Sequence, residues 1–239
     1  SGCVQAADGQ LDVSFVIVGS EGDADGLAVT LRSLSEQTQP AWEVIVAGAP
    51  PASVGDQDIR WLAASGKSSA QLANQALDLV TGTFVCFLRA GCWLWPEAVA
   101  IASARAGDDV DAVFGDDDVR TVDGRHATPT FKPGWNPELL RSYDYVGPFV
   151  ALRTALVRAE GGLKDYGAGI AESWDLHLRL ARRTTRWVHV PRVLCSLPSA
   201  PTELSEPAVR SVIVDDLGAR GYPDAGITRN PRFPGSWDV

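Results

Sequence analysis

Methionine is absent from the 239 residues, and cysteine occurs only four times. With a Ser1-Gly2 start, the missing methionine points to a chain trimmed from a longer one and carrying a tag remnant. The cysteines, Cys3, Cys86, Cys92 and Cys195, make no CxxC or zinc spacing. They are too few to found a chain of this size on disulfides, which favours a reducing compartment and a cytoplasmic location. Cys86, inside an apolar run, reads as a small core residue. Long hydrophobic runs are lacking too. Phe15–Val18 and Phe84–Leu88 are strand-sized, well short of the roughly 20 residues of a membrane span. The N-terminus lacks the basic-then-apolar pattern of a signal peptide. Positive charge is in deficit: 21 Lys and Arg against 30 Asp and Glu leave a net −9, which works against nucleic-acid and anionic-membrane partners.

Hydrophobic residues at 45% and charged residues at 21% are ordinary for a globular chain and argue against disorder. Val13–Val18 is a β-branched run ended by Gly19, so it reads as a buried strand. Leu27, Leu31 and Leu34 recur at helical spacing within 27–37, and Pro40 stops that helix. Glu43–Val46 is a second strand, followed by a loop over 48–55. Ser69–Leu79 is a second helix, and Thr83–Leu88 a third strand. This alternation predicts parallel βαβ units with right-handed crossovers. A helix over 96–104, with Pro96 in its first turn, and a fourth strand at Ala112–Phe114 continue the pattern. The first half is therefore a Rossmann-like sheet whose ligands gather at the C-terminal strand ends, near Gly19, Gly48, Arg89 and Gly115.

The second half is less regular. Asp123-Gly124 reads as a hairpin turn, and 131–137, rich in Pro and Trp, as extended or irregular. Trp174, Leu176, Leu178 and Leu180 mark a helix, Trp187–Val190 a strand before Pro191, and 204–220 a last helix. The organisation expected is a polar tail over 1–11 and one domain over 12–225. That domain has a nucleotide half to about 118 and a smaller mixed acceptor half. An extended segment or linker follows over 226–239.

Several strings, in order, resemble a family 2 glycosyltransferase of the bacterial cell-surface polysaccharide type. They are Val13–Val18, Gln37–Val44, Ala73–Leu77, Thr81–Val85, Phe114–Asp118, Asp123–Arg125, Phe131–Leu140, Tyr145–Gly147, Trp174–Arg179 and His189–Leu194. The resemblance covers about 13–239 and implies the GT-A fold, an α/β sheet flanked by helices. It also implies a glycan or sugar nucleotide as ligand. The ending Gly235–Val239 resembles the place where multidomain relatives begin a second transferase domain, which would then be a neighbouring partner.

The same resemblance shows what is missing. Such enzymes hold the donor diphosphate through a divalent metal on carboxylate oxygens. The family's Asp-x-Asp string falls on Leu88–Cys92, where Arg89 and Gly91 stand and no carboxylate remains. The family's metal-binding histidine falls on Ser196, and its general base on Ser173, a hydroxyl that cannot accept a proton near neutral pH. The loop after the second strand, 47–50, has none of the acids that hold a nucleoside. These losses imply a pseudo-glycosyltransferase with no metal and no cofactor, acting as a glycan-binding or scaffolding module. The alternative is an active transferase with an unconventional site, in which Arg89 pairs with a diphosphate and Mn or Mg is optional.

The remaining candidates each carry two readings. Asp116, Asp117 and Asp118 are a displaced metal or sugar site, or capping residues of a loop at a strand end. Arg89 is a diphosphate ligand or a surface arginine. Trp135 and Trp174 stack on a sugar ring or fill the core. Glu172 is a displaced base or a helix N-terminal acid. Asp175 is a site residue or the partner of Arg179 four residues on. Lys132 serves an acceptor or the fold. Cys92 and Cys195 both fall near the lost metal string, and a bond or metal between them is not expected.

Overall fold

The computed structural model describes residues 13–19, 24–39, 42–48, 59–63, 66–121, 123–167, 169–198, 205–233 and 235–239. The expected tail over 1–11, Ala49 and Pro50, and most of the 48–55 loop lie outside these residues. In chain order the elements are β1 Val13–Val18, α1 Ala24–Ser35, β2 Trp42–Ala47, β3 Ile59–Leu62, α2 Ser69–Leu79, β4 Phe84–Arg89, β5 Trp93–Leu94, α3 Ala98–Ser103 and β6 Ala112–Arg120. There follow β7 His126–Thr130, α4 Pro137–Ser142, β8 Val150–Arg153, α5 Thr154–Ala159, α6 Gly169–Ala181, β9 Trp187–Leu197, α7 Glu206–Ala219, β10 Thr228–Arg229 and β11 Trp237–Asp238.

One nine-stranded sheet organises the chain in the order β3-β2-β1-β4-β8-β6-β9-β5, with β7 paired on β6. The strands of the first half, β3, β2, β1 and β4, are parallel, as the βαβ pattern predicts. The second half is mixed: β6 and β9 are parallel, whereas β8, β5 and β7 run antiparallel to their neighbours. Strand β6 is not the direct neighbour of β4, because β8 inserts between them.

Strand alternation sends successive residues to opposite faces and so to two cores. Val16, Ile45 and Val85 pack with α2, α6 and α7, including the fully buried Trp174. Phe15, Ile17, Val44, Val46 and Cys86 pack with Leu27, Leu31 and Leu34 of α1 and with α3. Helix α2 starts on a capping box, in which Ser68 and Gln71 satisfy each other's backbone N–H groups. Pro at the first turn and Asn136 as cap do the same work for α4.

Two strands are longer than their sequence suggests. β9 does not stop at Pro191 but runs on to Leu197. Its register against β6 shifts around Gly115 and Asp116, and such bulges accommodate a residue that cannot donate to the ladder. At Gly115 the close passage of β9 leaves no room for a side chain, since a Cβ would lie 2.5 Å from the Leu194 side chain. β6 likewise continues to Arg120, and its hairpin to β7 turns at Asp123-Gly124 as expected. At the C-terminus, β10 and β11 pair, and Trp237 enters the core. No helix among the described residues is long and apolar enough to cross a membrane.

Candidate functional site

The C-terminal ends of β4, β6 and β9 gather the residues that the sequence singles out. Arg89 ends β4 and is exposed. The turn after it is clamped: Gly91 N–H reaches both the Gly26 carbonyl at 2.9 Å and Thr30 Oγ1 at 2.9 Å on α1. Gly91 has φ +90°, and a Cβ there would stand 3.0 Å from the Pro198 ring. At Gly91, one of the places that resemblance gives to a metal-binding carboxylate, a side chain would meet a strained backbone angle and a close contact with Pro198.

Below this turn lie three buried free thiols, Cys86, Cys92 and Cys195. Cys92 and Cys195 do approach each other, through the pairing of β5 with β9. The neighbouring Cys92, and then burial, push the Cys195 thiol well above its ordinary pKa. Burial pushes Cys86 up to about 12. Neither is a thiolate nucleophile at neutral pH.

The acidic run is not a loop. Asp116, Asp117 and Asp118 lie within β6, all buried, because pairing with β7 and β9 carries the strand past Gly115. Asp116 Oδ1 accepts from Lys132 N–H at 2.9 Å and lies 2.8 Å from His189 Nε2. Asp117 pairs with Lys132 Nζ at 2.8 Å. Asp118 Oδ2 lies 3.1 Å from His126 Nδ1. Lys132 donates its remaining protons to the carbonyls of Gly115 at 2.6 Å and Val146 at 2.7 Å, so this buried ammonium is consumed by the fold. Gly147 (φ +78°) passes so close that a Cβ would lie 2.5 Å from Lys132 Nζ.

On α6, Glu172, Trp174 and Asp175 are buried, whereas Ser173 is only half-buried. Ser173 donates to the Gly169 carbonyl of its own helix at 3.2 Å. Trp174 is fully buried and donates to the Leu140 carbonyl at 2.7 Å, so it is core and presents no face to a sugar. Asp175 and Arg179 form the intrahelical pair that the spacing predicts, at 2.7 Å, and Tyr166 donates to the same carboxylate at 3.1 Å. Glu172 is buried and accepts from Ser69 at the start of α2 at 2.9 Å. Burial outweighs that bond and raises its pKa. Trp135 is half-buried and stacks on Trp187 at 4.2 Å, nearly parallel at 5°.

Sequence reasoning missed the histidines. His126, His177 and His189, the only three in the chain, each sit on an aspartate: the buried Asp118, the half-buried Asp144 and the buried Asp116. Their scarcity was a signal, but the partners are 8, 33 and 73 residues away and only the sheet joins them. Ser196, at the family's metal-histidine place, is fully buried with its Oγ 3.1 Å from His126 Nδ1. Among the described residues no three His, Cys, Asp or Glu side chains converge to hold a metal. A cleft of about 690 Å³ does exist, but it runs along α2 beside Lys67, Gln71, Gln75, Asp78 and Arg158, away from the predicted site residues.

No family model matches the chain. It is similar to the O-antigen biosynthesis protein RfbC of Myxococcus xanthus, 33% identical over 178 residues that cover 69% of this chain and 14% of that protein. It is also similar to the uncharacterized protein y4gI of Sinorhizobium fredii, 26% identical over 206 residues, or 79% of this chain and 22% of the relative. The chain thus spans less than a quarter of either relative's length. Among solved structures it resembles S. aureus TarS 1-349 in complex with UDP, with a TM-score of 0.65 and 16% identity over 87% of this chain and 65% of that one. It also resembles the mannosyltransferase PcManGT of Pyrobaculum calidifontis, in complex with GDP-Man and Mn2+, with a TM-score of 0.58 and 17% identity over 95% and 69% of the two chains. The chain has the GT-A glycosyltransferase fold, an α/β architecture with a large mixed sheet between helices.

Proposed function

We propose that this chain is a glycosyltransferase-like module of a bacterial surface-polysaccharide assembly protein and that it has lost the catalytic use of its donor site. The likeness to the O-antigen biosynthesis protein supports the polysaccharide setting. The observation that supports the loss is the clamped turn at Gly91, where a carboxylate side chain would meet a strained backbone angle and crowd the Pro198 ring. Ser173 bonds back to a carbonyl of its own helix, the buried Ser196 hydroxyl meets His126, and Lys132 is spent on Asp117 and two carbonyls. Fold alone does not decide function, and the site argues against metal-assisted transfer. We assign the module a glycan-binding or scaffolding role beside a catalytic domain of the same longer protein, in the cytoplasm, without cofactor.

A specific observation favours the second reading, an active and metal-independent transferase: Arg89 is an exposed guanidinium at the end of β4, where a diphosphate would lie. An assay of nucleotide release separates the two. The chain, incubated with UDP-GlcNAc or GDP-Man and Mn2+, is expected to release no UDP or GDP above the buffer rate, with or without glycan acceptors. Release that disappears in Arg89→Ala would establish the second reading instead.

A further inference from the structure

Helix α2 and the turn that ends α5 form the walls of the cleft of about 690 Å³. The two walls are tied to each other. Asn74 of α2 donates to the Leu163 carbonyl at 2.8 Å and accepts from Leu163 N–H at 2.8 Å. Arg158 of α5 donates through Nη2 to the Leu77 and Val80 carbonyls at 2.8 and 2.7 Å, and so caps the C-terminus of α2. Gly161 and Gly162 turn the chain between these ties, with φ of +77° and +72°. At Gly162 a Cβ would lie 2.2 Å from Asn74 Oδ1, so the tie needs a glycine. At Gly161 a Cβ would meet nothing within 4 Å, so that part of the wall is open. A cleft braced in this way keeps its shape without a ligand, which removes an ordering cost from binding.

The other lining groups are polar and uncommitted. Gln71, Gln75 and Asp78 fall at i, i+4 and i+7 of α2, so they share one stripe along the cleft, and all three are exposed. Gln71 gives its amide oxygen to Ser68 N–H and keeps both amide protons. Gln75, Asp78 and Lys67 line the cleft without bonding another group among the described residues. Arg158 has no further acceptor for Nη1 and Nε among them either. Donors and acceptors therefore stand side by side, and a sugar hydroxyl, which donates and accepts at once, matches such a lining. Other ligands fit it worse. No aromatic ring lines the cleft to hold a nucleobase, Leu77 is its only apolar side chain, and the Asp78 carboxylate opposes a phosphate. The volume lies within the roughly 300–1,000 Å³ of small-ligand sites.

We propose that this cleft is a glycan-binding site that takes a short stretch of polysaccharide along α2. The helix joins β3 to β4 within the parallel part of the sheet and so runs antiparallel to those strands. Lys67 therefore lies toward the C-terminal strand ends, and Asp78 and Arg158 toward the opposite edge. The glycan lies outside the strand-end site. The proposal rests on the glycan-binding reading given above and names the place where binding occurs.

The test is an NMR titration of the 15N-labelled chain with short oligosaccharides cut from the O-polysaccharide of Myxococcus xanthus, the source of the O-antigen relative. The side-chain amide signals of Gln71 and Gln75 are expected to shift saturably, with the Arg89 Nε–H signal unmoved. Gln75→Ala combined with Asp78→Ala removes no bond of the fold. It should weaken binding at least about 10-fold and leave Tm within about 2 °C of the parent. Shifts confined to Arg89 and the strand ends, or binding that survives the double substitution, would overturn the proposal while leaving a glycan binder with another site. No saturable shift anywhere would overturn the glycan-binding reading as well. Equal shifts of Gln71 and Gln75 with UDP alone would give the cleft to a nucleotide and also overturn the proposal.

Discussion

Asp111 shows how single residues in this chain spend their charge on the fold. Its carboxylate accepts from Arg186 through two nitrogens at 2.7 Å, from Thr184 at 2.7 Å and from Arg153 at 2.9 Å. Burial works against its ionisation, but the bonds from Arg186, Thr184 and Arg153 prevail and hold its pKa below 3.8. A folded value below the unfolded one gives stability that is present above pH 3.8 and lost as pH falls through the folded value. Asp111→Asn should therefore cost about 3 kcal/mol in urea unfolding at pH 7, and much less as the pH is taken below 3.8. Glu172 has the opposite sign. Its raised pKa means that the folded chain keeps a proton the unfolded chain loses above pH 4.5, so stability falls as pH rises from 4.5 through the raised value. Glu172→Gln should have a higher Tm than the parent at pH 7.5, and the difference should vanish below pH 4.5. A lower Tm at pH 7.5 would mean that the carboxylate is kept ionised by partners other than Ser69.

At the scale of elements, the turn between β4 and β5 is where the proposed loss of the donor site can be tested. Restoring a family-like acid by Gly91→Asp forces a side chain onto a φ of +90° and against Pro198, while the N–H must keep its two bonds to α1. Such strain costs about 1–3 kcal/mol. The variant should lose stability by that amount in urea unfolding and gain no Mn2+-dependent affinity for UDP. A gain would show that the turn opens readily. Elements with their own periodicity were legible in the sequence. Leu27, Leu31 and Leu34 announce α1, and the unbroken run Val13–Val18 announces a central strand. β8 was not legible, because Val150–Arg153 passes straight into α5 at Thr154 with no turn residue between. The tail of β9 was hidden by Pro191, whose missing N–H is absorbed only by a bulge that two strands make together. The same holds for Asp116–Asp118: three consecutive acids read as a loop until the pairing of β6 with β7 and β9 is known.

For the whole molecule, the local strings led to the right architecture because the first half contains the units β1-α1-β2 and β3-α2-β4 on one parallel sheet, and the GT-A neighbours share that frame. The site was less legible. The string Leu88–Cys92, where resemblance places the metal carboxylates, holds none. The histidine–aspartate pairs are assembled across the sheet from residues as far apart as Asp116 and His189. The molecule has the GT-A fold with Asp116, Asp117 and Asp118 buried, and a separate polar cleft along α2. The measurement that tests this account most directly is calorimetric titration of the chain with UDP, GDP and dTDP, each with and without Mn2+. The account predicts no heat of binding for any of the three under either condition. Saturable binding that needs Mn2+ would contradict it, and would return the strand-end site to the class of working donor sites.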